Sequence, residues 1–142
     1  MFTSILLASD GSECALKAAA AAATLASKFT ARLTIINVFQ PIPTVGPYGE
    51  IVNVELNKRY ITELQEHAIA PVGRIMDEIG VPYQSRQEVG QPAAEIVRVA
   101  EAEGCDLIVL GSRGASGLTL FLLGSTCDRV VHHAHCPVLI VK

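Results

Sequence analysis

Basic charge is in short supply. Eleven Lys and Arg face fourteen Asp and Glu, a formal net charge of -3. A nucleic-acid binder would normally carry a basic face, so that class is set aside. Any anionic ligand has to be held by local groups, because the overall field does not attract it. Paired cysteine motifs are missing as well. Cys14, Cys105, Cys127 and Cys136 form no C-x-x-C, so neither a zinc site nor a disulfide framework is indicated, and reduced thiols in a cytoplasmic protein are expected. The start "MFTSILLASDG" has no basic residues ahead of its short apolar run, unlike a secretory signal. The alanine-rich stretch 18–26 is too short and too weakly apolar to span a bilayer, so no membrane partner is expected. Internal repeats and low-complexity tails are absent.

Two catalytic motifs also fail. Gly114-Ala115-Ser116-Gly117 is followed by Leu118, where a nucleophile elbow would need the last glycine of G-x-S-x-G. No Lys precedes Ser125, so there is no Walker sequence, and no general base or water-positioning Gln is evident. Fast ATP hydrolysis is therefore not motivated, and no residue is assigned a catalytic role. "HHAHC" (132–136) places His132 and His135 near Cys136, but without the spacing of a structural zinc site. These histidines read more simply as polar residues at a helix C-terminus.

What the chain has is a core. Half of its 142 residues are hydrophobic and under a fifth are charged, which suits one folded domain over 1–142. Strand and helix patterns alternate. Residues 4–9, 32–39, 81–87, 105–111 and 136–142 read as strands, and the fourth is apolar without alternation, as a strand covered on both faces should be. Ser12 is a good N-cap for a helix whose inner face is Ala15, Ala18, Ala19, Ala22, Leu25, Ala26 and Phe29. Three prolines and two glycines make 40–50 a loop. A long helix follows, with Leu56, Ile61, Leu64, Ala68, Val72, Ile75 and Ile79 in phase. Pro71 inside it predicts a kink or break, since an interior proline costs ~3 kcal/mol. Pro92 starts a third helix and Gly104 stops it. A last helix is predicted over 125–133. This order predicts a parallel α/β sheet with helices on both faces.

Irregular residues gather where the strands end. Ala8-Ser9-Asp10 closes the first, Val38 lies near the end of the second, Gly90 follows the third, and Gly111-Ser112-Arg113-Gly114 closes the fourth. In open parallel sheets, ligands bind beyond those ends. Gly111 and Gly114 would let backbone approach a ligand with no Cβ in the way. Gly124, Ser125 and Thr126 open the last helix, where unpaired amides and a partial positive charge suit phosphate. Arg113 would add a charged fork. The apolar residues 118–123 would connect the two halves of this cradle.

Gly111, Gly114, Gly124 and Ser125 meet the spacing G-x-x-G, nine residues, G-[ST]. That spacing resembles the ATP-binding signature of the universal stress protein family. "ILLASDGSE", "LTIINVF", "CDLIVLGSRG" and "HAHCPVLIV" extend the resemblance along the whole chain. It implies a five-stranded parallel sheet of order 3-2-1-4-5, Rossmann-like in the manner of the adenine nucleotide alpha hydrolases. It implies ATP, with Mg²⁺, as ligand. Ala8, Ser9, Asp10 and Val38 would line the adenine and ribose end, Val38 through its backbone, and Gly90 lies at the same strand edge. Gly111, Ser112, Arg113, Gly114, Gly124, Ser125 and Thr126 would lie around the phosphates. It also implies pairing into a homodimer through the last strand, whose apolar "PVLIV" would be an exposed edge if left alone. Relatives often carry a basic residue mid-spacer, where this chain has Leu120 and Phe121. The expected role is a stress-response regulator whose nucleotide state alters its contacts with a protein partner. A slow ATPase and a nucleotide-independent interaction module are the alternatives.

Overall fold

Five parallel strands form the sheet in a computed structural model, which describes residues 1–41, 44–52, 58–113 and 123–142. They are β1 (Ser4–Ala8), β2 (Arg32–Phe39), β5 (Gln84–Val89), β6 (Leu107–Gly111) and β7 (Val138–Val141). Their spatial order is β5-β2-β1-β6-β7, the expected 3-2-1-4-5. The helices are α1 (Glu13–Phe29), α2 (Lys58–Ile79), α3 (Pro92–Ala102) and α4 (Ser125–His133).

Alternate side chains of the central strands feed two separate cores. Ile5, Leu7, Ile35, Leu107 and Val109 pack with α1 and α2. Leu6, Ile36, Ile108 and Leu110 pack with α3 and α4. Both faces are therefore covered, which explains the unbroken apolar runs. The buried face of α1 is entirely alanine, at positions 15, 18, 19, 22, 23 and 26, so α1 can lie close to the sheet. At the opposite edge from the strand C-termini, Asp106 ties down the chain start. Partial burial works against its charge, but Thr3 donates through Oγ1 (2.7 Å) and N–H (2.8 Å) and Ser4 through N–H (3.1 Å). These bonds hold the carboxyl below its ordinary range.

Four expectations need correction. First, α2 runs through Pro71 without a break. Proline removes the amide that would bond His67 O, and the neighbouring turn gains outside support: Ser9 Oγ donates to Ala68 O at 2.9 Å. Second, the buried face of α2 is Gln65, Ala68, Ile69, Val72, Gly73 and Met76. Leu64 and Ile79, read as inward, are 41% and 44% exposed. A polar residue displaced the apolar phase because two strand-end carbonyls await it, as described below. Third, the third sheet strand starts at Gln84 rather than 81. Gly80 at φ +79° and the bond from Val81 N–H to Met76 O (2.9 Å) keep Val81 in the helix stop. Pro82 has no amide to donate. Fourth, the proline-rich loop contains a two-residue antiparallel pair, β3 (Thr44–Val45) with β4 (Ile51–Val52). Leu56 lies outside the described residues.

Candidate functional site

The strand order reverses between β1 and β6, and a cleft of about 230 Å³ opens there at the C-terminal ends of the strands. Its walls differ in character. Ile36, Val38, Pro92, Ile96 and Leu110 give one apolar side. The other end is polar, built from Asp10, Ser12, Arg113 and the first turn of α4 at Gly124, Ser125 and Thr126. Arg113 is the only cationic side chain lining the cleft among the described residues. Such a cavity suits a flat, largely apolar ring system joined to an anionic tail.

Three helices begin around this cleft, and their caps differ. Ser12 Oγ accepts from Ala15 N–H at 3.2 Å and closes α1. Gln91 Oε1 accepts from Ala94 N–H at 2.7 Å and closes α3. Helix α4 starts at Gly124, which has no side chain to accept from its amides. The amides of 125–127 have no acceptor within an α-helix, and the helix dipole adds positive potential there. Gly124 is also stitched to β6, since its N–H donates to Ser112 O at 3.0 Å. The two halves of the predicted cradle are thus tied together by a main-chain bond.

Of the predicted site residues, Ala8, Ser9, Asp10, Val38, Gly111, Arg113, Gly124, Ser125 and Thr126 all line the cleft. Asp10 Oδ1 accepts from Ser12 N–H at 2.9 Å, an Asx turn that leads into α1. Ser112 and Gly90 do not line it. Ser112 is buried, and its N–H donates to Val141 O at 2.8 Å. Gly90 is occupied in bonding Phe39 O at 2.9 Å, and its φ of +154° sets the turn into α3. Gly114 and 115–122 lie outside the described residues. Gly111 does line the cleft, but its lack of a side chain serves packing. A Cβ there would stand 2.6 Å from the Cys14 carbonyl carbon and 2.8 Å from Cys14 Cβ.

The cysteine of this turn is closed off. Cys127 Sγ donates to Gly111 O at 2.8 Å. Burial, with smaller contributions from Asp10 and Cys14, pushes its thiol up to about 11. A helix N-terminus alone would lower a thiol's pKa; burial acts here in the opposite sense. His132 and His135 turn to carbonyls, of Asp128 (2.8 Å) and Cys105 (3.2 Å). Sequence reasoning missed Asn37 and Gln65. Asn37 lines the cleft beside Val38, and Gln65, 3% exposed, lies behind it. An amide at an apolar phase of α2 was the one available signal for Gln65.

The sequence model of the universal stress protein family matches residues 1–142. The chain belongs to that family. Universal stress protein MJ0531 of Methanocaldococcus jannaschii is 39% identical over 142 residues, covering all of this chain and 83% of that protein. Among solved structures, that of MJ0577 from the same archaeon superposes with a TM-score of 0.78 at 26% identity, covering 100% of this chain and 96% of the other. A universal stress protein from Archaeoglobus fulgidus, solved in complex with dAMP, gives 0.72 at 20% identity over 99% and 98% of the two chains. At that identity the likeness concerns the fold. No helix among the described residues is long and apolar enough to cross a membrane.

Proposed function

We propose that this universal stress protein domain binds ATP, with Mg²⁺, in the cleft between β1 and β6. The observation that carries the proposal is the uncapped first turn of α4 at one end of a cleft that has one apolar side. Adenine packs against Val38 and Ile96, near the backbone of Val38. Asp10 faces the ribose. The phosphates meet the amides of 125–127, the hydroxyls of Ser125 and Thr126, and the guanidinium of Arg113. The residues fit Mg-ATP in kind: hydroxyl and carboxylate oxygens suit a hard cation that keeps most of its waters. When bound, Mg²⁺ would offset charge on the triphosphate.

Occupancy of this site then changes the surface offered to a protein partner in the cytoplasm, as a regulator of stress response. Among the described residues β7 pairs on one side only, with β6, and its residues Val138–Val141 are all half-buried in the single chain. A second copy docking along that edge would remove an exposed strand. Titration calorimetry with Mg-ATP tests the core of the reading. Saturable heat is expected; none at roughly millimolar ATP, where a 4 kcal/mol interaction would still register, overturns it. Light scattering tests the dimer, and a monomer mass at micromolar protein excludes it.

A further inference from the structure

A chain of buried amide and hydroxyl groups runs from behind the cleft, at Gln65, to its lining, at Asn37 and Ser9. It begins on α2. Gln65 Nε2 donates to Glu88 O at 2.8 Å and, more weakly, to Asn37 O at 3.4 Å. One side-chain amide thereby spans the ends of β5 and β2. Asn37 Nδ2 in turn donates to Ser9 O at 2.8 Å, across to β1. Ser9 is then tied through every polar group it has. Its N–H donates to Ile36 O (2.9 Å), its Oγ donates to Ala68 O (2.9 Å), and that Oγ accepts from Gly11 N–H (3.2 Å).

Resting on the ATP reading above, we infer that Gln65, Asn37 and Ser9 form a positioning relay through which α2 sets the base and ribose end of the nucleotide site. Asp10 follows Ser9, and Val38 follows Asn37. The peptide planes leading into both residues are therefore fixed by the relay. The contact with α2 is close: a Cβ on Gly11 would stand 3.2 Å from Ala68 Cα, and Gly11 at φ +78° accepts no other residue without strain. Apolar side chains could fill the same volume. They could not specify which way the carbonyls at the strand ends point, whereas directed donors do. Gln65 does not line the cleft, so an effect of its loss on ligand affinity would have to travel through Asn37 and Ser9.

The test uses the full chain carrying Gln65→Met, which keeps volume and removes the donor. Mg-ATP affinity is measured by calorimetry, and amide hydrogen exchange is followed along the chain. The expected result is ATP binding about tenfold weaker, with faster exchange at 9–11 and 37–38 and unchanged exchange at 124–127. ATP affinity within about twofold of the parent overturns the relay, and so does exchange that rises equally at 124–127, which marks general loosening. Should Gln65→Met lose its cooperative melt, Gln65→Leu, which also removes the donor from outside the cleft lining, is read by the same two measurements and decides in the same way. The failures are separable. If the parent takes up no ATP, the site reading and the relay both fall. If the parent binds ATP and the variants bind it equally well, the site stands and only the relay falls.

Discussion

Helices α1 and α4 both begin at the cleft, yet they begin in opposite ways. α1 carries its own acceptor, since Ser12 bonds Ala15 N–H and Asp10 bonds Ser12 N–H. α4 opens on Gly124, which has no side chain to bond its first turn. The difference separates two uses of one motif. A helix start that satisfies its own amides contributes stability. A start left without a cap keeps those amides for an anion from outside.

Glycine shows the same division of labour. Gly111 faces Cys14 in the first turn of α1, and Gly111→Val would force the helix from the strand. Overpacking of this kind should cost roughly 3 kcal/mol, read as a lower midpoint in urea. A variant as stable as the parent would mean that α1 can shift freely. Gly124→Asp probes the other helix. It supplies the missing cap and places a negative charge where phosphate would sit. ATP affinity should fall at least about tenfold, or 1.4 kcal/mol, while thermal stability holds or rises by a few tenths of a kcal/mol. Unchanged affinity would erase the contrast between the two helices.

Ser12→Ala makes the opposite change, removing a cap where one exists. A loss of about 1 kcal/mol of stability is expected, with ATP binding less affected than by Gly124→Asp; denaturant titration and calorimetry report the two. The smallest effect is a slope. The Cys127 thiol is raised from 9.0 to about 11 in the folded chain, by burial first and then by Asp10 and Cys14. Its contribution is fully present below the unfolded value and is lost as pH rises from about 9 to about 11, because the unfolded chain releases the proton first. Cys127→Ala should flatten that alkaline decline in melting temperature. An identical decline in both proteins would assign it elsewhere.

Much of this was legible along the chain. The N-cap at Ser12, the α4 start at Ser125 and the β2 limits of 32–39 all stand where local chemistry put them. Caps and apolar runs act over a few residues, so a linear reading reaches them. The strand order came from the family resemblance, whose motifs recur at strand ends. The α2 phase and the start of β5 were misread for a shared reason: apolar spacing favoured Leu64, and β-like composition favoured 81–83. The folded chain instead buries Gln65 against carbonyls of β2 and β5, and keeps Val81 in the stop of α2. Ser112 and Gly90 were placed at the site by adjacency, but their amides are engaged by Val141 and Phe39 on other strands.

The sequence alone determined the alternation of strands and helices, the doubly covered core and the glycine that opens α4, because periodicity and capping are properties of neighbours in the chain. Only the tertiary structure decided why Gly111 must be glycine, which strand-end residues line the cleft and why a glutamine lies buried in α2. Each of these depends on an atom supplied by a distant segment: Cys14 for Gly111, Val141 for Ser112, Glu88 and Asn37 for Gln65. Hydrogen bonds and steric contacts act across space at about 3 Å, and sequence separation carries no record of which groups come that close.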